Sequence, residues 1–443
     1  MRGRISILVL VVLLAACGDG TGGPTVTTTT QAAITTTTAI ATTTTTTTTT
    51  TTQPPATTTT TSTVPSAAYV WSRAGDEAVF GGSGTQMLVG VAVASLGLVA
   101  IGLDDSGGDY DAAVWTSVDG LTWVRVPDDE AALGGPDDQG MFSVVGGGPG
   151  LVAVGYVWSG DDGDGAVWTS VDGSAWTRVP HDEAVFGGPF SQLVFDVVVG
   201  GPGFVAVGAD GMNGGDWNAA VWTSADGLIW TRVPHDEQAF GGPRDQTAQG
   251  VAAVSDGFVA VGSAYDPETA RTVAAVWVSD DGLTWERIPG GGQSEGPSPF
   301  NEDLTGVVAA GPGLVAFGYE ESNSDLNATV WVSVDGHDWT RIDDPEVLGG
   351  PGDQRINSVA AVGSVLVAVG SDGPNSADSD AAVWVSEDGL TWTRVPDDES
   401  VLGVAGAQAR GVAAWHSGVV VVGSDHPTLD DENAAVWIGT IPG

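Results

Sequence analysis

One seven-residue frame, Ser-x-Asp-Gly-x-x-Trp, occurs six times in this chain at intervals of 53 to 55 residues. Its copies centre on Asp119, Asp172, Asp226, Asp281, Asp335 and Asp388. A period of that length means one supersecondary unit copied about or along an axis, since a unit that cannot cover its own apolar faces must stack on its neighbours. The architecture is constrained before any single residue is weighed.

One unit, residues 249–289, reads as four short apolar runs: 250–254, 258–262, 274–278 and 284–288. Each is bounded by Gly, Pro or Asp, which favours strands over helices. Ser255-Asp256-Gly257 leaves room only for a tight hairpin, so the unit is a four-stranded antiparallel meander. Phe258-Val259-Ala260-Val261 is apolar on both faces, so the sheet must be covered twice. First strands such as Gly250-Val251-Ala252-Ala253 are small enough to crowd about a central axis. These features predict an all-β chain folded as a β-propeller.

The ends give the number of blades. Third-strand tryptophans recur seven times, at Trp115, Trp168, Trp222, Trp277, Trp331, Trp384 and Trp437. Fourth-strand tryptophans also recur seven times, at Trp71, Trp123, Trp176, Trp230, Trp285, Trp339 and Trp392. Trp71 has no partner strands before it and Trp437 has no fourth strand after it. The N-terminal strand is therefore expected to complete the last blade, closing seven four-stranded blades over residues 67–443.

The repeated frame resembles the Asp-box, or bacterial neuraminidase repeat, of sialidases and other propellers, shortened here by one residue. In such a turn the aspartate accepts backbone amides, glycine takes positive φ and tryptophan covers the turn. The resemblance implies that the turns are structural and lie opposite any active face. A sialidase also needs an arginine triad, a tyrosine–glutamate pair and an acid aspartate. The non-repeating Arg244, Arg271, Arg355 and Arg410 sit at different offsets, and no tyrosine pairs with an evident glutamate. Xyloglucanases and photosystem II assembly propellers also use seven blades, so the scaffold does not determine the chemistry.

Residues 1–16 read as a secretory signal, with Arg2 and Arg4 before an apolar run too short to span a bilayer. Leu14-Ala15-Ala16-Cys17 resembles a bacterial lipobox, which implies lipidation of Cys17, the single cysteine. Two or three acyl chains, at about 0.8 kcal/mol per buried methylene, would hold the protein to a membrane. Residues 17–66 form a Thr/Pro-rich tether with eleven consecutive threonines and too little apolar bulk to fold. The expected location is extracytoplasmic, lipid-anchored to a bacterial membrane.

The chain holds 56 acidic residues against 13 basic ones, all arginine, for a formal charge of −43. That balance excludes nucleic acid as a partner and disfavours anionic lipid headgroups. A monomer is expected.

Function is expected where the repeats differ, in the loops between second and third strands. Tyr110, Tyr156, Trp158 and Trp217 depart from the repeat and either form an exposed aromatic platform for a glycan or pack onto the loops beneath. Asp161, Asp162 and Asp164 look like a short calcium loop, so Ca²⁺ is a candidate ion. The five histidines offer no metal set.

Gln86, Gln139, Gln192, Gln246 and Gln354 recur before the inner strands, with Glu302 in the same slot of the fifth unit. They are expected either to ring a tunnel mouth or to tie adjacent blades. Arginines two residues after each fourth-strand tryptophan are expected to protect the outer edge or to pair with carboxylates. No catalytic residues are identified. The functional expectation is recognition of an extracellular glycan or protein. The alternatives are a polysaccharide hydrolase using loop carboxylates, or a structural adhesion module.

Overall fold

The computed structural model describes residues 69–440, leaving out 76, 149, 202, 212–214, 293–297, 312, 323–324, 375–378, 397–400, 403–405 and 427–431. Cys17 and the Thr/Pro-rich segment lie outside the described residues. Those described form seven four-stranded sheets, each a simple antiparallel meander, with helix confined to Glu77–Phe80 and a 3-10 turn at Pro289–Gly292. The first sheet runs through Gln86–Ala94, Gly97–Asp104, Asp111–Ser117 and Trp123–Arg125, and the next five repeat it. The seventh takes Gln408–Trp415, Gly418–Asp425 and Asn433–Thr440 from the C-terminus and Val70–Ala74 from the N-terminus. Trp71 faces Gly439 and Arg73 faces Trp437 across that closing ladder. The first strand of every blade lies against the first strands of both neighbours, and the seventh lies against the first, so the circle is complete.

The seven third-strand tryptophans are fully buried, and each indole N–H has a partner. Six of them donate to a main-chain carbonyl of a connecting loop: Trp115 to Val79, Trp168 to Ala132, Trp222 to Val185, Trp277 to Ala239, Trp384 to Val347 and Trp437 to Val401. Beside those carbonyls Phe80, Leu133, Phe186, Phe240, Leu348 and Leu402 plug the gap between blades. The seventh, Trp331, donates instead to the Glu302 carboxylate at 2.9 Å.

The Asp-Gly turns follow one plan. In the fourth blade, Gly282 N–H donates to Ser279 Oγ, Leu283 and Thr284 N–H donate to Asp281 Oδ1, and Trp285 donates back to Gly282 O at 3.0 Å. Gly282 adopts φ +75°, and a Cβ there would meet Val205 Cγ2 at 2.9 Å. These turns share one face with the tight hairpins between first and second strands, since Gly120 packs against Trp415 of such a hairpin. Val70, paired with Thr440, starts at that same face. The connections between second and third strands occupy the other.

Each first strand carries one β-bulge at the same place, which the sequence reading did not foresee. The bulged residues are Val89, Phe142, Phe195, Gln249, Thr305, Asn357 and Arg410, all half-buried on the inner strands. A bulge re-aims a side chain, and here it supplies ties between neighbouring blades. Gln249 Nε2 donates to both Asp303 oxygens at 2.9 Å, and Asn357 donates to Ala409 O at 2.8 Å. Asp196 accepts from Ser143 on one side and from Val251 N–H on the other.

The glutamine row does not join adjacent blades. Gln86, Gln192 and Gln354 bond within their own blades to Asp104, Asp210 and Asp372. Those same carboxylates receive Arg125, Arg232 and Arg394 from the fourth strand. The arginines thus pair with carboxylates, one of the two roles expected of them.

Candidate ligand-binding face

The loop face is built from hairpins that differ from blade to blade. Trp217 opens the third strand of blade three, and its N–H donates to Asp245 Oδ1 at 2.9 Å. With Phe190, Asp161, Asp162 and Asp216 it lines a cleft of about 390 Å³ between blades two and three. Ser191 ties the cleft wall, donating to Asp162 Oδ1 at 3.4 Å while its oxygen accepts from Gly163 N–H. Phe190 is 38% exposed, so an apolar ring faces solvent here. Sequence reasoning overlooked it, although a signal was present: Gly-Gly-Pro-Phe-Ser-Gln stands where other units read Gly-Gly-Pro-Asp-Asp-Gln or Gly-Gly-Pro-Gly-Asp-Gln.

The four aromatic residues expected as a platform are divided. Tyr156 is only 3% exposed; its ring packs on Phe142 at 5.1 Å and over Gly140, and burial holds its hydroxyl well above the ordinary range. Trp158 is half-buried and lies across Gly163 of its own hairpin, where a Cβ would sit 2.4 Å from its ring. Tyr110 is half-buried in blade one, where burial and the carboxylates of Asp105, Glu432 and Asp138 raise its hydroxyl. Of the four, only Trp217 lines the cleft, and its aromatic companion there is Phe190. Glu302, the fifth candidate, is 1% exposed and is occupied by Trp331 and Thr329, so it lines no tunnel mouth.

The three aspartates expected as a calcium loop also separate. Ser159 pairs with Asp162, which leaves a two-residue turn with no loop to wrap an ion. Asp161 and Asp162 face the cleft. Asp164 instead meets His181 and Glu183, with ligand atoms of all three within 4.8 Å of one another. The expectation that no histidine joins a metal-type set is thereby corrected. Burial raises the Asp164 carboxyl, His181 counters it, and Asp162 and Glu183 raise it further. In blade one the equivalent Asp111 is pushed up to about 6 by burial and by Asp109, Glu130 and Asp128, and its buried Oδ1 has no hydrogen-bond partner.

No protein-family model matches this chain, and no curated protein matches it. Solved structures do. A protein of unknown function from Dyadobacter fermentans is 15% identical, with 84% of this chain and 98% of that one covered at a TM-score of 0.43. A Trypanosoma rangeli sialidase is 13% identical over 84% of this chain and 58% of its own, at 0.42. A thermostable family-43 glycoside hydrolase is 16% identical over 56% and 91%, at 0.32. At these values the likenesses assign no activity to the chain.

Proposed function

We propose that this chain is a membrane-anchored binding propeller, lipidated at Cys17 and displayed outside the cytoplasm, whose loop face takes a neutral, hydroxyl-rich glycan. The cleft pairing Trp217 and Phe190 with Asp161, Asp162 and Asp216 carries this reading. Its volume of about 390 Å³ suits one or two sugar rings. Aromatic faces stack on the C–H surface of a sugar ring, and carboxylates accept from its hydroxyls. The same carboxylates repel uronates and sulfated sugars.

A glycan array probed with the full chain, with and without Ca²⁺, tests the reading. Trp217→Ala should abolish binding to neutral glycans while leaving the melting temperature within a few degrees of the parent. Unchanged binding by that variant would remove the cleft as the site. Release of reducing sugar from a bound polymer would make the cleft hydrolytic instead.

A further inference from the structure

Blade two brings one nitrogen and two oxygen donors to a single point. Asp164 stands on the third strand, Asp162–Ser170, while His181 and Glu183 follow the fourth, Thr177–Arg178. His181 Nε2 lies 3.2 Å from Glu183 Oε2 and 3.8 Å from Asp164 Oδ2, and the ligand atoms of all three lie within 4.8 Å of one another. Donors bound about 2.0–2.2 Å from one ion at tetrahedral angles stand about 3.3–3.6 Å apart, and the two histidine distances bracket that spacing. Among the described residues no other three His, Cys, Asp or Glu side chains converge in this way. Residues 150–201, which carry all three donors, are described without a break.

The space among the donors is kept open. Gly187 floors it: a Cβ there would stand 2.6 Å from Glu183 Oε2 and 3.2 Å from Asp164 Oδ1. A cavity of about 140 Å³ adjoins, lined by Asp164, His181, Val157 and Phe186, with Asp137 adding a further carboxylate. Arg178 is also on that lining, and its Nη1 is turned to Gln139 Oε1 at 3.4 Å. The neighbouring blades each lack one part of the set. In blade three His235 meets Glu237 at 3.1 Å, but Asn218 stands where blade two has Asp164. In blade one the same slots hold Asp111, Asp128 and Glu130, with no nitrogen donor, and Asp128 is taken by Arg125 at 2.9 Å.

We propose that Asp164, His181 and Glu183 form a site for a divalent cation of intermediate softness such as Zn²⁺, with its remaining coordination position open to the adjoining cavity. An imidazole nitrogen with two carboxylate oxygens suits Zn²⁺, whereas Ca²⁺ and Mg²⁺ take shells of oxygen alone. Three protein ligands leave room for water or for one donor atom of a bound molecule. The ion ties the third strand to the loop that follows the fourth. The site is separate from the glycan cleft between blades two and three and does not depend on it.

Isothermal titration of the full chain with Zn²⁺, after treatment with a chelator, tests the site. Zn²⁺ should bind, and Ca²⁺ and Mg²⁺ should bind at least about tenfold more weakly. His181→Asn and Asp164→Asn should each weaken Zn²⁺ by about tenfold or more, since even groups that only orient a metal ligand are worth about 10–100-fold. His235→Asn, which alters the two-donor pair of blade three, should leave Zn²⁺ affinity at the parental value. A parent that does not bind Zn²⁺, Ca²⁺ or Mg²⁺ matching Zn²⁺, or parental affinity in His181→Asn would each overturn the proposal, as would an equal loss in His235→Asn. If Asp164→Asn fails to fold, His181→Asn still decides, because the His181 side chain is 45% exposed and its removal spares the core.

Discussion

Arg73, four residues into the described chain, forms an ion pair with Asp425, close to its other end. The pair sits beside a ladder in which Val70 to Ala74 run antiparallel to Val436 to Thr440. Two stretches more than 350 residues apart thus make one blade, and the ring depends on their meeting.

The closing strand should be a weak point of the fold. Trp71 is buried, stacks on Tyr69 at 5.8 Å and, unlike the other fourth-strand tryptophans, leaves its indole N–H without a partner. Trp71→Ala should cost about 3–5 kcal/mol, chiefly through the cavity it leaves. Urea unfolding followed by tryptophan fluorescence would read it, and a loss under about 1 kcal/mol would mean that closure does not depend on this ring.

The turn glycines separate two costs. Gly282 and Gly363 both hold positive φ, +75° and +62°, but a Cβ meets Val205 at 2.9 Å in the first and open space in the second. Gly363→Ala should lose about 1–2 kcal/mol from the backbone alone. Gly282→Ala should lose more, because overpacking adds about 1–3 kcal/mol. Equal losses in thermal melts would show that the valine contact yields freely.

Glu302 stands in the slot where other units carry glutamine, and Trp331 donates to it rather than to a main-chain carbonyl. Its carboxylate accepts from Trp331 and Thr329 and lies 3.8 Å from Arg341 Nε. Glu302→Ala strips both buried donors and a counter-charge, and should cost about 3–5 kcal/mol. Glu302→Gln keeps an acceptor and should cost about 1–2 kcal/mol. Chemical denaturation of the two variants distinguishes them, and equal costs would show the hydrogen bond to be idle.

Two kinds of carboxylate give opposite responses to pH. The Thr284 and Leu283 amides hold Asp281 below the usual carboxylate range. Its contribution is therefore present above about pH 4, the unfolded value, and is lost as pH falls through the lower folded value. The deficit of Asp281→Asn should shrink toward zero at about pH 2. Asp303 behaves in reverse: burial pushes it up to about 6 despite Gln249, Ser263, Tyr319 and Arg355. The native state holds that proton more tightly, so stability falls as pH rises from about 4 to about 6. Asp303→Asn should flatten that segment of the urea-midpoint profile, and an unchanged slope would reassign it.

Much of this was legible in the chain because each unit repeats its own solution. Seven blades, the closing strand and the Asp-Gly turns follow from strand length, from apolarity on both faces and from two orphaned tryptophans at the ends. The candidate sites were less legible. Tyr156 and Trp158 break the repeat as clearly as Trp217 does, yet one is buried against Phe142 and another covers Gly163. Departure from a repeat marks a position as special without saying which way its side chain turns.

Local sequence determined what each blade is, because strand, turn and tryptophan lie within a few residues of one another and answer to short-range sterics and hydrogen bonding. Only the assembled ring decided which departures meet. Phe190 and Trp217 line one cleft between two blades, and Asp164 meets His181. Those relations depend on how twisted sheets pack side by side, a distance in space that no spacing along the chain encodes.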